Sequence, residues 1–282
     1  LYVIQGGKEF HAGKTTDFST VGVKAPTRYT LDLQLTGPVP YLLSELTHPS
    51  RFPVHPATIL RFGKIGQRAT KWTLPGNIVG NGPFRMESWR KNDVIEVVKS
   101  ANYWDGPTVK LNGINFFAID DLNTMDRAFR AGQLHATNDV PLDKIPSYRR
   151  SKKEVMHVEP YLGVYCYKLN VSRKPLNDPR VRLALNLALD RQALVQNLLR
   201  GDQKPATGFT PPGLAGYPSL TSINYDPAAA RQLLKEAGFP NGKGFPKFTI
   251  LINTSETHRA TAEAVQQMWK EELNIDVTLE NQ

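Results

Sequence analysis

The stretch 81–106, NGPFRMESWRKNDVIEVVKSANYWDG, is the part of the chain whose pattern says most about its fold. Two runs in which apolar and polar residues alternate, 84–89 and 94–98, flank the polar triplet 91–93. Alternation with a period of two is typical of a half-buried strand, and a short polar break between two such runs is typical of a turn. The stretch therefore predicts a β-hairpin. Because it holds no nucleophile with a base, metal-ligand spacing or phosphate loop, its chemistry indicates scaffold.

Strand and helix patterns alternate along the rest of the chain, which predicts a mixed α/β protein. Near the carboxyl end, strand 248–252, helix 256–273 and strand 275–279 form a β-α-β unit, and we expect its two strands to be parallel. A helix is also predicted to begin at Asp178. Its residues Leu183 and Leu187 form a second apolar face, which predicts that the helix is buried on more than one side. Further strands are predicted at 29–36, 114–119 and 161–170, and further helices at 121–131 and 226–237.

The segment 161–170, YLGVYCYKLN, combines aromatic and β-branched residues and is predicted to be a central strand. It contains Cys166, the one cysteine of the chain, so an intramolecular disulfide is excluded. A cysteine between two tyrosines in an apolar strand predicts a buried, inert thiol, because reactive cysteines need an accessible, electropositive setting. One cysteine leaves the cellular compartment open.

The composition is that of a globular protein, with 40% hydrophobic and 22% charged residues among 282. The net charge of +9 raises the question of nucleic-acid binding, but the basic residues are scattered. The densest basic cluster, at 149–153, is followed at once by Glu154 and lacks a nucleic-acid-binding motif, so no nucleic-acid partner is predicted. No apolar run approaches the roughly 20 residues that a membrane helix needs. The chain also begins without the pattern of a signal peptide.

The searches for enzyme and metal motifs predict neither a catalytic residue nor a bound metal or cofactor. The six histidines form no i,i+4 pair and have no cysteine partner at metal-binding spacing. The chain also lacks a nucleophile elbow, a Walker loop and a dinucleotide-binding glycine pattern. The sequence therefore favours a binding protein over an enzyme.

Several ordered motifs together resemble the family 5 extracellular solute-binding proteins, the oligopeptide- and dipeptide-binding components of bacterial ABC importers. The resemblance begins with the run 81–106 and extends over nearly the whole chain. The other motifs that carry it are AGQL (131–134), LNDPRVRLALNLALDR (176–191), PATGFTPPG (205–213), LKEAG (234–238), and INTS (252–255) with His258.

The resemblance implies a periplasmic-binding-protein-like, bilobal clamshell of type II with an extra domain, incomplete in this chain. It assigns 1–57 to the end of the extra domain and its connection, 58–162 to part of lobe I, and 163–282 to the beginning of lobe II. The lobes are expected to cross at 160–165, and a truncated chain would leave a sheet edge exposed beside 275–279. It implies a periplasmic or extracellular monomer, either free or lipid-anchored, that binds an oligopeptide and delivers it to membrane permease subunits.

Five residues match family positions near the ligand or can supply its charge partners. By motif position Asn138 and Tyr161 face the cleft, His258 lies near the carboxyl end of the peptide, and Arg200 and Arg173 are candidate cationic anchors. Read without the resemblance, Tyr161 could equally be a core residue and Asn138 a turn residue. His258 could be a solvent-exposed residue in the first turn of a helix, and Arg200 a surface residue near a helix C-terminus.

Two alternatives remain open. The same fold can carry another solute, such as nickel or a sugar. A cytoplasmic transcriptional regulator can also combine such a solute-binding domain with a DNA-binding head, which the net charge of +9 would suit. A signal peptide upstream in the full gene would support an importer component, whereas an upstream helix-turn-helix would support the regulator.

Overall fold

The computed structural model describes residues 2–151, 154–159, 161–214, 216–217 and 222–282. The chain divides into two compact units, Leu1–Phe117 and Ala118–Gln282. This division does not coincide with the boundaries at 57/58 and 162/163 that the resemblance implies, and the assignment of lobes stays a prediction. Lys152, Lys153 and Pro160, which belong to the basic cluster and the expected lobe crossing, lie outside the described residues.

The first unit contains short helices and two antiparallel sheets. One sheet is the pair β1–β2 and the other has the strand order β3-β4-β5. The strands are β1 (Val23–Thr27), β2 (Thr30–Leu33), β3 (Phe84–Arg90), β4 (Val94–Lys99) and β5 (Gly113–Phe117). The α-helices are α1 (Gly7–His11), α2 (Leu42–Leu46) and α3 (Pro56–Phe62), with short 3-10 turns at Phe18–Thr20, Pro49–Arg51, Lys71–Thr73 and Gly106–Thr108.

The β3–β4 pair confirms the predicted hairpin. Its register pairs Arg90 with Val94 next to the turn and Trp89 with Ile95 one step further, with an irregularity between Met86 and Ser88. Asn92 lies in the turn with a φ of 60°, a left-handed conformation that asparagine tolerates better than most residues. The turn thus uses the polar triplet that the sequence placed between the two runs.

The second unit combines helices with a two-stranded parallel sheet, β6 and β7. The pairing confirms the predicted β-α-β unit, in which the two strands are parallel and joined by the long helix α9. The elements are α4 (Leu122–Arg130), α5 (Ile145–Ser151), α6 (Pro179–Leu187), α7 (Arg191–Ala193) with a π-helical continuation (Leu194–Leu199), α8 (Pro227–Glu236), a 3-10 turn (Pro240–Gly242), β6 (Phe248–Ile252), α9 (Glu256–Leu273) and β7 (Val277–Asn281).

The core of the second unit lies between α6, α8, α9 and the β6–β7 sheet. Its helices begin at polar caps: the side chains of Asp178, Asp226 and Ser255 each accept a hydrogen bond from a backbone N–H in the first turn. At the centre, the buried indole Nε1–H of Trp269 donates to the carbonyl oxygen of Leu185 at 2.8 Å. This bond satisfies both polar groups inside apolar surroundings, as buried polar groups require. Other buried members of the core include Val181, Ala184, Leu234, Val265 and Leu273.

The prediction of a central strand at 161–170 is wrong for this structure. Among the described residues this segment joins no β-ladder, and Tyr165 and Cys166 are exposed. The aromatic and β-branched residues of this segment indicate only that its side chains suit the surface of a sheet. A β-ladder also needs a neighbouring backbone to pair with. Tyr167 and Leu169 nevertheless pack against the core of the second unit, so one face of the segment is partly covered.

Two further expectations about burial are corrected. Cys166 is exposed rather than buried, because the segment that carries it is covered on one face only. Leu183 on α6 is 40% exposed, so its second apolar face is only partly enclosed, whereas Leu187 does pack against the core. Apolar periodicity identifies which residues share a face, but it does not say how many faces have neighbours.

Candidate functional site

His258 is held at the start of the long helix α9 by contacts on two sides. Its backbone N–H donates to Ser255 Oγ at 3.3 Å, and its ring Nδ1 lies 2.6 Å from Asn253 Oδ1. The imidazole also lies against the ring of Tyr165, with 4.9 Å between centroids and an interplanar angle of 31°. With Asn253 accepting, Nδ1 carries the proton, and Nε2 is an acceptor when the ring is neutral and a donor when it is charged.

A mostly apolar cavity of about 640 Å³ lies beside this histidine within the second unit. Tyr165, which contacts His258, is one of its lining residues. The segment 164–169 forms one wall, Thr261, Val265 and Trp269 of α9 form another, and residues 206–209 contribute Phe209. Concave apolar surfaces with a few polar groups are where proteins commonly bind small ligands.

Several polar side chains interrupt the apolar lining of the cavity, among them Tyr167 and Arg191. The hydroxyl of Tyr167 is buried with no hydrogen-bond partner among the described residues, and burial raises the pKa of Tyr167 well above its ordinary value. The guanidinium of Arg191 is partly buried, and burial lowers its pKa. It donates to the carbonyl oxygens of Asn186 at 3.2 Å and Leu189 at 3.3 Å, so it connects α6 to α7. The helical sequence pattern does not distinguish Arg191 from an ordinary surface arginine.

The two candidate cationic anchors both lie in irregular backbone. Arg200 follows the π-helical segment in a left-handed conformation, with a φ of 56°, and its Nε donates to Asn197 O at 2.8 Å. Arg173 is exposed, in a turn whose backbone N–H donates to Asn170 O at 3.1 Å. Within the described parts of the chain, neither guanidinium forms an ion pair.

Asn138 and Tyr161 lie at the surface of the second unit. Asn138 is exposed in the loop between α4 and α5, where Thr137 Oγ1 donates to Asp139 O at 3.2 Å. Tyr161 is 89% exposed, which is unlike a core residue. Among the residues that the structure describes, no hydrogen bond, ion pair or ring contact joins any two of the five candidates.

The described parts of the chain contain neither a group of side chains arranged for a metal ion nor a helix that could span a membrane. No group of three or more histidine, cysteine, aspartate or glutamate side chains is arranged there to hold a metal ion. None of the helices described is long and apolar enough to cross a membrane.

The sequence and fold match a known family of binding proteins. The family described as bacterial extracellular solute-binding proteins, family 5, middle region, matches residues 5–282. The oligopeptide-binding protein OppA of Bacillus subtilis strain 168 is 33% identical over 294 residues, covering 100% of this chain and 52% of that protein.

Solved structures agree with this match. The Escherichia coli murein tripeptide binding protein MppA has a TM-score of 0.91 at 32% identity, covering 100% of this chain and 55% of that one. Haemophilus influenzae OppA in complex with the peptide RPPGFSPFR has a TM-score of 0.86 at 31% identity, covering 99% and 55%. The chain therefore has the mixed α/β fold of OppA-like periplasmic binding proteins, and it spans about half the length of these relatives.

Proposed function

The chain belongs to the bacterial extracellular solute-binding proteins of family 5, and on that premise we propose that the protein containing it captures oligopeptides and delivers them to the permease of an ABC importer. The observation that carries the proposal is the match over residues 5–282, together with relatives whose names state oligopeptide or murein tripeptide binding. Membership of a solute-binding family also confirms the prediction of a binding protein rather than an enzyme. The proposed location is periplasmic or extracellular, free or lipid-anchored.

The peptide is proposed to lie between the loop 133–141 with Tyr161 on one side and the start of α9 with Arg200 or Arg173 on the other. An extended peptide exposes backbone N–H and C=O groups, which the protein can satisfy much as an added strand is satisfied. The exposed amide of Asn138 offers both a donor and an acceptor for such contacts. The exposed ring of Tyr161 offers apolar surface for a peptide side chain.

The carboxyl end of the peptide is proposed to lie near His258. Negative charge is stabilised at a helix N-terminus by typically about 0.3–1 kcal/mol, and α9 has 18 residues and begins at this place. The His258 ring is already oriented by Asn253 and Tyr165, so a carboxylate meets a pre-arranged donor when the ring is protonated. The side chain of Glu256 also lies at this helix start, so a cation from Arg200 or Arg173 is needed to balance the local charge.

Calorimetric titration of trialanine and its C-terminal amide tests this assignment in the full-length protein. In Arg200→Gln or Arg173→Gln, we expect the free acid to lose more affinity than the amide, because only the acid loses a charge-assisted bond of about 1.5–3 kcal/mol. That loss corresponds to about 10- to 150-fold in Kd. Arg231→Gln is the matched control, since Arg231 is a partly exposed arginine on α8 that pairs with Glu272 near the other end of α9. Equal losses for acid and amide in both variants would remove the arginines from the site.

A second candidate function is transport of a non-peptide, apolar solute by the same fold. The cavity of about 640 Å³ favours it, because its mostly apolar lining suits neither nickel nor a sugar. The titration should therefore include a bile acid and a simple sugar beside the peptides. Binding of the bile acid alone would replace the peptide proposal with this one.

A further inference from the structure

Asp126 is a buried carboxylate surrounded by donors on neighbouring elements. Its side chain lies on α4 and the residue is only 6% exposed. Tyr148 donates its hydroxyl to Oδ1 at 2.5 Å, Lys144 Nζ donates to Oδ2 at 2.9 Å, and Arg130 Nε lies 3.2 Å from Oδ2. Lys144 also donates to Asn123 Oδ1 at 3.0 Å. We call Asp126, Arg130, Lys144 and Tyr148 the Asp126 cluster.

The Asp126 cluster joins the two ends of the loop that carries Asn138. Arg130 is the last residue of α4, and Lys144 immediately precedes α5. Between them, residues 131–143 contain no helix or strand, so few repeating backbone hydrogen bonds order the loop internally. Its conformation therefore depends strongly on how its two ends are held, since each unordered residue must lose backbone entropy to adopt one conformation.

The same pair of helices is also connected to the segments that carry Arg200 and His258. Arg149 on α5 makes a two-point ion pair with Asp202, with nitrogen–oxygen distances of 2.7 and 2.8 Å. At the other end, the backbone N–H of Leu122 on α4 lies 3.4 Å from Glu256 Oε1, at the start of α9. Helices α4 and α5 thus flank the loop that carries Asn138 and contact the segments that carry Arg200 and His258.

We propose that Asp126 is a positioning residue for the peptide site: its carboxylate clamps α4 to α5 and so fixes the loop that presents Asn138. The proposal rests on the proposed function for its ligand. The carboxylate is needed because it faces two cations, Lys144 and Arg130, that a neutral amide of the same shape leaves unbalanced. The loop then samples more conformations, and the ligand must order it at the cost of affinity.

The test compares Asp126→Asn and Tyr148→Phe with the wild type in the full-length protein. Tyr148→Phe removes one hydroxyl from the cluster and keeps the ring, so this variant still tests the proposal if Asp126→Asn does not fold. The matched control is Glu272→Gln, which breaks the ion pair with Arg231 (2.7 Å) and the hydrogen bond from Tyr225 (2.6 Å) near the end of α9, away from the loop.

Two measurements are made at a temperature where every variant is folded. Hydrogen–deuterium exchange of the ligand-free protein is expected to rise in residues 131–143 in both cluster variants and to stay unchanged there in the control. The Kd for trialanine is expected to increase about 3- to 30-fold in the cluster variants only, the range found for residues that act on a binding site through others.

Unchanged exchange in both cluster variants, or an equal increase in Kd for the control, would overturn the positioning role. If the wild type binds no peptide, the proposed function fails and with it the ligand-related part of this inference. The exchange measurement distinguishes that result, because it needs no ligand and still decides whether Asp126 orders the loop.

Discussion

The hairpin β3–β4 and the segment 161–170 have similar strand-forming sequences, but only the hairpin forms a ladder among the described residues. In the hairpin, the partner strand follows after a three-residue turn, so pairing costs little chain entropy. A turn also follows the segment 161–170, but the next element after it is the helix α6 rather than a second strand. The comparison teaches that strand propensity becomes a strand only where a partner backbone is within reach.

The two regions also depend on different interactions for their order. The hairpin has its own turn, and its strand β4 pairs on both sides, with β3 and with β5. In 161–170, order depends on side chains such as Tyr167 and Leu169, which pack against the core of the second unit. Changes in that core should therefore affect 161–170 and leave the hairpin intact.

The largest expected effect comes from Leu185→Ala. Leu185 is 1% exposed in the core, so the substitution should lower the free energy of unfolding by about 2–5 kcal/mol. Urea denaturation measures this loss, and hydrogen exchange should rise in 161–170 but not in the hairpin. Leu251→Ala is the control, because Leu251 is 52% exposed and its removal should cost far less. Equal exchange increases in both regions would contradict the comparison.

A smaller effect is expected from Asn92→Ala in the hairpin turn. Asn92 has a φ of 60°, where a residue with an ordinary Cβ costs roughly 1–2 kcal/mol, so the variant should be less stable. Asn92→Gly is the matched variant and should be neutral or slightly stabilising at this position. Thermal unfolding followed by fluorescence compares the two. A variant pair with the same Tm would show that the turn conformation does not limit the hairpin.

The smallest of the three effects is a pH dependence in the second unit. Burial raises the pKa of Asp126, but the hydrogen bonds from Tyr148 and Lys144, with the nearby charges of Lys144 and Arg130, lower it below its ordinary 3.8 overall. Because the folded-state pKa is depressed, the stabilisation is present above about pH 4 and is lost as pH falls through the folded-state value.

The difference in free energy of unfolding between wild type and Asp126→Asn should therefore be constant near neutral pH and shrink below pH 4. Urea denaturation at a series of pH values measures it. The change is limited because a single group contributes pH-dependent stability only in proportion to the difference between its folded and unfolded pKa values. A difference that grows on acidification would mean that Asp126 has a raised pKa in the folded protein.

Much of the fold follows from local patterns. The helix predicted at 256–273 and the strand at 248–252 have the observed bounds, because their caps and periodicity act within a few residues. The helix starts at Asp178 and Asp226 were predicted for the same reason, since a side-chain oxygen caps the backbone of its own first turn.

The candidate site was less predictable. The resemblance identified Asn138, Tyr161 and His258 by motif position, but it did not indicate the contact between His258 and Tyr165. The Asp126 cluster was missed as well, because Tyr148 and Lys144 lie 22 and 18 residues along the chain from Asp126. No spacing rule connects residues across a loop of that length.

What the sequence determined by itself is the hairpin at 84–98, the helix starts at Asp178 and Asp226, and the strand and helix at 248–252 and 256–273, because each depends on neighbours a few residues away. The ordered motifs also identified the family. Only the tertiary structure decided that 161–170 lacks a ladder among the described residues, that Cys166 is exposed, and that Asp126 is buried among two cations and a tyrosine. These features depend on contacts between distant segments, and burial and charge balance are properties of those contacts rather than of any residue alone.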